Sequence, residues 1–125
     1  MNFLLDTHVL IWALENNPTL SELSRNNIID GSNMVFVSPV SVWEIGIKKS
    51  LGKLETPDNL LEEIKAHRFN LLQINFNHAH LAGNLPDIHR DPFDRMLIAQ
   101  AIIEKLTLIT RDKSIAEYNV QTLKA

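Results

Sequence analysis

The sequence predicts an α/β fold with a central, mainly parallel sheet and helices on both of its faces. Two observations carry that expectation. Short apolar runs, such as Asn2 to Leu5 and Leu106 to Thr110, read as strands buried on both sides. Between the runs lie longer stretches with apolar residues at helical spacing, and strands alternating with helices imply a parallel sheet. The 125 residues suit one domain spanning 1–125, with no repeat, low-complexity tract or linker-like run to divide it.

The elements follow in order. Asn2 to Leu5 is a buried strand. Thr7 to Glu15 is a helix through Val9, Leu10, Trp12 and Ala13, ended by the Asn16-Asn17-Pro18 turn. Ser21 to Ile29 reads as a second helix closed by Asp30-Gly31, and Met34 to Val37 as a second strand. Ser38 is an N-cap with Pro39 at the first helical position, opening a helix to about Leu51 that stops at Gly52. After the Thr56-Pro57 turn, Asp58 can cap a helix from Asn59 to His67. Leu71 to Ile74 reads as a third strand and Asn77 to Leu85 as a short helix. Asp91-Pro92 caps a long helix from Phe93 to Lys105. The strand Leu106 to Thr110 follows, then a helical turn or two over Lys113 to Tyr118 and a last strand over Val120 to Leu123.

Composition narrows the chemistry. Hydrophobic residues make up 45% and charged residues 22%, as in an ordinary soluble globular protein. With no cysteine, disulfides, zinc-thiolate sites and cysteine nucleophiles are excluded, which fits a reducing cytoplasm. The N-terminal Met1-Asn2-Phe3-Leu4-Leu5-Asp6 has no basic region and meets an acid early, unlike a signal peptide. No apolar stretch is long enough for a membrane span. The net charge of -3 argues against nucleic-acid binding through a basic face alone, unless clustered acids bind cations that reverse the local charge. The four glycines form neither a dinucleotide fingerprint nor a phosphate-binding loop.

In a parallel sheet, function collects at the carboxyl ends of strands near the switch in strand order. Asp6 follows the first strand directly, and Asp112 stands just beyond the Leu106 to Thr110 strand. If those strands are neighbours, both carboxylates share one rim. Glu44 inside the third helix and Asp94 in the first turn of the long one can converge on the same place. Converging carboxylates repel and lose solvation, so they call for cations. Magnesium and manganese prefer oxygen ligands of this kind.

Each acid also has a purely structural reading. Asp6 and Asp112 can be helix caps, and Asp94 favours the helix dipole without any metal. Glu44 lies among Val40, Trp43, Ile45 and Ile47, where a carboxylate needs a partner; Lys48 at i+4 can supply it. Asp91 reads as the cap of the helix that carries Asp94. His78 and His80 read as a structural surface pair. His8 and His89 lie near proposed site acids and read as hydrogen-bonding or exposed groups. Trp12 and Trp43 are expected in the core, with an edge able to stack on a base. Arg90, Arg95, Arg111 and Lys113 could meet phosphates near the acids.

Four segments carry a recognisable pattern: Leu4-Leu5-Asp6-Thr7-His8-Val9-Leu10-Ile11-Trp12, Ser41-Val42-Trp43-Glu44-Ile45, His89-Arg90-Asp91-Pro92-Phe93-Asp94-Arg95 and Leu108-Ile109-Thr110-Arg111-Asp112. Together they resemble the PIN-domain family, and more narrowly the toxins of VapBC-type toxin–antitoxin pairs. The resemblance runs from Asn2 to about Val120. It implies a three-layer α/β/α sandwich and a Mg2+- or Mn2+-dependent endoribonuclease whose site is Asp6, Glu44, Asp94 and Asp112. Thr110 matches a hydroxyl residue that orients a ligand or water, with Asp91 and Arg95 as supporting residues. The resemblance further implies a homodimer, an RNA substrate and a cognate antitoxin. A water activated by metal would attack in line, with Glu44 completing the site or positioning that water. One alternative is a non-catalytic PIN-like module that binds RNA or protein. A haloacid-dehalogenase-like phosphatase fits less well, since it needs an aspartate where this chain has His8.

Overall fold

The computed structural model describes residues 1–56 and 58–125, so Pro57, and with it the turn read at Thr56-Pro57, lies outside the described residues. The described chain holds five strands, six α-helices and one 3-10 turn: β1 (Asn2–Leu5), α1 (Thr7–Leu14), α2 (Glu22–Ile29), β2 (Met34–Val37), α3 (Pro39–Ser50), α4 (Leu60–Ala66), β3 (Asn70–Leu71), α5 (Phe76–Asn84), α6 (Pro92–Glu104), β4 (Thr107–Thr110), the turn Ile115–Glu117, and β5 (Thr122–Lys124). Every strand pairing is parallel, in the order β3-β2-β1-β4-β5.

The central strand shows why the fold has three layers. Phe3, Leu4 and Leu5 are all buried, but they serve different cores. Phe3 and Leu5 pack with Val9, Leu10, Ile11, Leu20, Ile45 and Ile64 on one face. Leu4 packs with Leu97, Ile98, Leu108 and Ile115 on the other. Side chains alternate across a strand, so an unbroken apolar run is the signature of a strand covered on both faces. β4 repeats the pattern, Leu108 joining one core and Ile109 the other. Burying each such leucine contributes about 2 kcal/mol.

Caps place the helices much as the sequence suggests. Ser21 accepts from the Ser24 N–H at 3.1 Å, and Ser38 from the Val40 N–H at 3.1 Å with Pro39 behind it. Asp91 accepts from the Phe93 N–H at 2.9 Å and heads α6. Asp58 differs from expectation: Asn59 is the capping position of α4, and the Asp58 carboxylate instead pairs with Lys49 at 2.6 Å. The third strand is shorter and earlier than the run Leu71 to Ile74. Its ladder ends where the Leu72 N–H reaches the Val37 carbonyl at 2.9 Å, and the Leu72 side chain then turns into the α6 core. The last strand starts two residues later than expected because Tyr118 to Val120 forms a tight turn, the Val120 N–H bonding the Tyr118 carbonyl at 2.8 Å. Among the described residues, no helix is long and apolar enough to cross a membrane.

Candidate active site

Strand order reverses between β1 and β4, with Leu5 opposite Ile109, so the chain leaves both strands at one rim. Asp6 leaves β1 as the N-cap of α1, its carboxylate accepting the Val9 N–H at 2.9 Å. Asp112 follows β4, its Oδ1 accepting the N–H and hydroxyl of Ser114 at 2.9 and 2.8 Å. Glu44 arrives on α3 and Asp94 in the first turn of α6. All four acids line one cleft of about 370 Å³, together with Asp91, His89, Lys48, Trp12 and Arg111. A larger cavity of about 650 Å³, bounded by Ala13, Ile28, Val35 and Phe69, has Asp30 as its one acid among the described residues. Convergent charge rather than size singles out the smaller cleft as the candidate site.

The acids are not equivalent. Glu44 is 3% exposed, and both its oxygens have partners: the Thr7 hydroxyl donates to Oε1 at 2.6 Å and Lys48 Nζ to Oε2 at 2.5 Å. Among the described residues, Asp94 has no lysine or arginine of that kind beside it. Burial pushes its carboxyl up, and the negative charges of Asp91, Asp6 and Glu44 push it further against the pull of His89, to about 7. Burial also raises Asp6, partly offset by hydrogen bonds from the Thr110 hydroxyl and the Val9 N–H. For Asp112, burial acts upward but is outweighed by Ser114 and His89, which hold it below the usual carboxylate range. Thr110 thus sits between two site acids, since its hydroxyl oxygen also accepts the Asp112 N–H at 3.1 Å.

His89 closes the cluster. Its Nε2 lies 2.9 Å from Asp94 Oδ2 and 3.0 Å from Asp112 Oδ2. That hydrogen-bonding role matches the sequence reading, and the three groups together lie within reach of a single cation. The donor set suits a hard divalent ion: several carboxylates, one of them pushed to about 7 by burial and by the negative charges around it.

Other expectations are revised. Arg95 is not among the residues lining the cleft; its guanidinium donates to the carbonyl of Ala82 in the last turn of α5 and to those of Leu85, Pro86 and His89 in the segment before α6. Trp43 is 64% exposed and meets Phe93 edge-on at 5.2 Å, so it is not a core residue. Trp12 is half-buried beneath the Arg111 guanidinium, 4.8 Å from its ring centre. His78 is buried rather than on the surface, joined to Asn75 in a capping box and to Glu104 at 2.7 Å; His80 is exposed. Arg90 and Lys113 are exposed. Sequence reasoning misses Thr7, whose only signal is a hydroxyl next to Asp6 at the start of a helix. It also misses Tyr118, whose hydroxyl accepts the His89 N–H at 2.7 Å and donates to the Pro86 carbonyl at 2.9 Å.

With this geometry in place, comparison with known proteins decides the family. The family model of the PIN domain matches residues 3–121. The chain belongs to the PIN domain family. The PIN domain shares its fold with several solved structures. VapBC2 from Rickettsia felis, bound to a DNA fragment from its promoter, aligns at a TM-score of 0.73 with 15% identity over 98% of each chain. DNA-bound VapBC from Salmonella typhimurium aligns at 0.70 with 19% identity, over 98% of this chain and 97% of that one. FitAcB from Neisseria gonorrhoeae aligns at 0.64 with 21% identity, over 98% and 96%. At such identities the likeness is one of fold. Among curated proteins, none matches the chain by sequence.

Proposed function

We propose that this PIN domain is a metal-dependent endoribonuclease, the toxin of a type II toxin–antitoxin pair acting in the cytoplasm. The observation that carries the reading is the convergence of Asp6, Glu44, Asp94 and Asp112 on one cleft in which Asp94 is pushed to about 7. So much uncompensated charge is costly in a folded protein unless a cation relieves it. The toxin role draws on the DNA-bound VapBC structures, which share this fold over nearly the whole chain. A cognate antitoxin and a homodimer belong to the same reading.

Asp6, Asp94 and Asp112 would hold Mg2+ or Mn2+, with Glu44 completing the site or positioning a water. When bound, such an ion acidifies water and stabilises developing charge on a phosphodiester. The chain's own residues prepare the rest. The Val9 N–H and the Thr110 hydroxyl fix Asp6, while Thr7 and Lys48 fix Glu44. Lys48 and Arg111 bring positive charge to the cleft wall, where an RNA phosphate would lie. Exposed Arg90 and Lys113 extend that charge.

The test is cleavage of total cellular RNA by purified protein freed of any antitoxin, with Mg2+, with Mn2+ and with EDTA. Discrete fragments are expected with metal, none with EDTA, and a loss on the order of 10³-fold in Asp94→Asn and in Asp6→Asn. Failure of the folded wild-type protein to cut any RNA would move the assignment to a non-catalytic binding module.

A further inference from the structure

One imidazole stands between two of the cleft's acids, and its surroundings say what it does. His89 Nε2 approaches carboxylate oxygens from two different elements, Asp94 on α6 and Asp112 after β4. Those distances fit either adjacent ligands of one ion or hydrogen bonds. The far side of the ring separates the two cases. A histidine that binds a metal through one nitrogen donates its other N–H to a carboxylate, carbonyl or water. His89 Nδ1 instead faces a donor, the backbone N–H of Asp91 at 3.4 Å. With Nδ1 accepting, the ring hydrogen resides on Nε2 and points at the two carboxylates.

The backbone of His89 is held as firmly as its ring. Its N–H donates to Tyr118 Oη, and its carbonyl accepts Arg95 Nη1 at 3.0 Å. Arg95 also grips the carbonyls of Leu85 and Pro86, and the Tyr118 hydroxyl donates to Pro86 as well. Two side chains therefore tie the segment from Leu85 to His89 to α6 and to the turn before β5. Nothing in this arrangement depends on the His89 ring, so the ring is aimed by a frame that outlasts its removal.

Building on the metal-site reading above, we infer that His89 is a positioning residue: its Nε2–H clamps Asp94 and Asp112 into one arrangement, and it is not itself a ligand. The Ser114 N–H and hydroxyl restrain the other oxygen of Asp112, so that carboxylate cannot rotate. The clamp turns Oδ2 of Asp94 toward the ring and leaves its Oδ1 for the cation. Arg95 contributes from behind, through the loop that aims His89. Such orienting partners commonly change metal affinity by about ten- to a hundredfold.

The experiment uses Mn2+ alone as probe, with affinity from calorimetry and pulsed electron paramagnetic resonance to detect nitrogen bound to the ion. Three variants accompany wild type: His89→Ala, His89→Gln, whose amide N–H2 stands near the Nε2 position, and Asp94→Asn. The expected pattern is no directly bound nitrogen in wild type, affinity about tenfold or more weaker in His89→Ala, and affinity within about threefold of wild type in His89→Gln. A strong nitrogen coupling in wild type that disappears in His89→Gln would make His89 a ligand and overturn the inference. Unchanged affinity in His89→Ala would overturn it too. Asp94→Asn separates this from the reading beneath it: if that variant binds Mn2+ as tightly as wild type, the metal site itself is wrong. Should His89→Ala fail to fold, the wild-type spectrum and the His89→Gln affinity still decide.

Discussion

Glu44 and Asp94 line the same cleft from two different helices, α3 and α6, and both carboxylates are largely withdrawn from water. Glu44 is compensated twice, by the Thr7 hydroxyl at the start of α1 and by Lys48 one turn on in its own helix. Asp94 sits where three other acids crowd it, and among the described residues His89 is the one ion-pair contact it has, with Lys48 acting from farther off. The difference teaches that a buried acid does not by itself mark a metal site. A buried acid whose neighbours have the wrong sign does, because the fold has left its charge for something else to neutralise.

The contrast breaks most severely if Lys48 is removed. Lys48→Met leaves Glu44 buried with the Thr7 hydroxyl alone, and a loss of about 1–3 kcal/mol in urea unfolding is expected, the lower end if water screens the partly exposed lysine. Adding Glu44→Gln to that variant should recover most of the loss. An unchanged Lys48→Met protein would mean that Glu44 never needed compensation.

Asp94 should behave in the opposite sense. Its carboxyl titrates at about 7 in the folded protein against 3.8 for an ordinary aspartate, so folding tightens its hold on that proton. Metal-free stability should therefore fall as pH rises from about 4 through about 7, and Asp94→Asn should remove that slope. At about pH 8 the variant is expected to be about 1–2 kcal/mol more stable than metal-free wild type, with saturating Mn2+ reversing the order. Melting curves across pH check this; a variant that melts lower at every pH would assign Asp94 to helix-dipole stabilisation instead.

The smallest effect sharpens the comparison from behind the site. Tyr118→Phe removes the acceptor of the His89 N–H and the donor to Pro86, with about 1 kcal/mol of stability lost and Mn2+ affinity reduced severalfold. Equal affinity in calorimetry would show that the loop is aimed without Tyr118.

Much of the fold is legible in the sequence for a definite reason. β1 and β2 are found over the residues read as strands because continuous apolar runs, bounded by Asp6 and Ser38, have few other ways to be buried. The heads of α3 and α6 are readable because Ser38 and Asp91 cap their own helices, an interaction confined to three or four residues. The Glu44–Lys48 pair, the structural alternative for Glu44, is present because i and i+4 share a helix face. Edge elements are less legible: β3 and β5 are short, with few cross-strand partners, so local turns set their ends. Trp43 misleads because a large apolar side chain predicts burial only on average, and its place on α3 turns it outward.

By itself, the sequence determined the alternation of strands and helices, the caps, and a set of acids placed just beyond strands or early in helices. Those are local properties, written in periods of two and 3.6 residues and in side chains that reach their own backbone. Only the tertiary structure decided which acids are answered and which are not. That depends on β1 and β4 becoming neighbours, on the fold bringing Asp94 of α6 against Asp6 and Glu44, and on Tyr118, 29 residues away in the chain, meeting His89. Charges far apart in the sequence interact through space, and no local pattern records the distances that set the strength of that interaction.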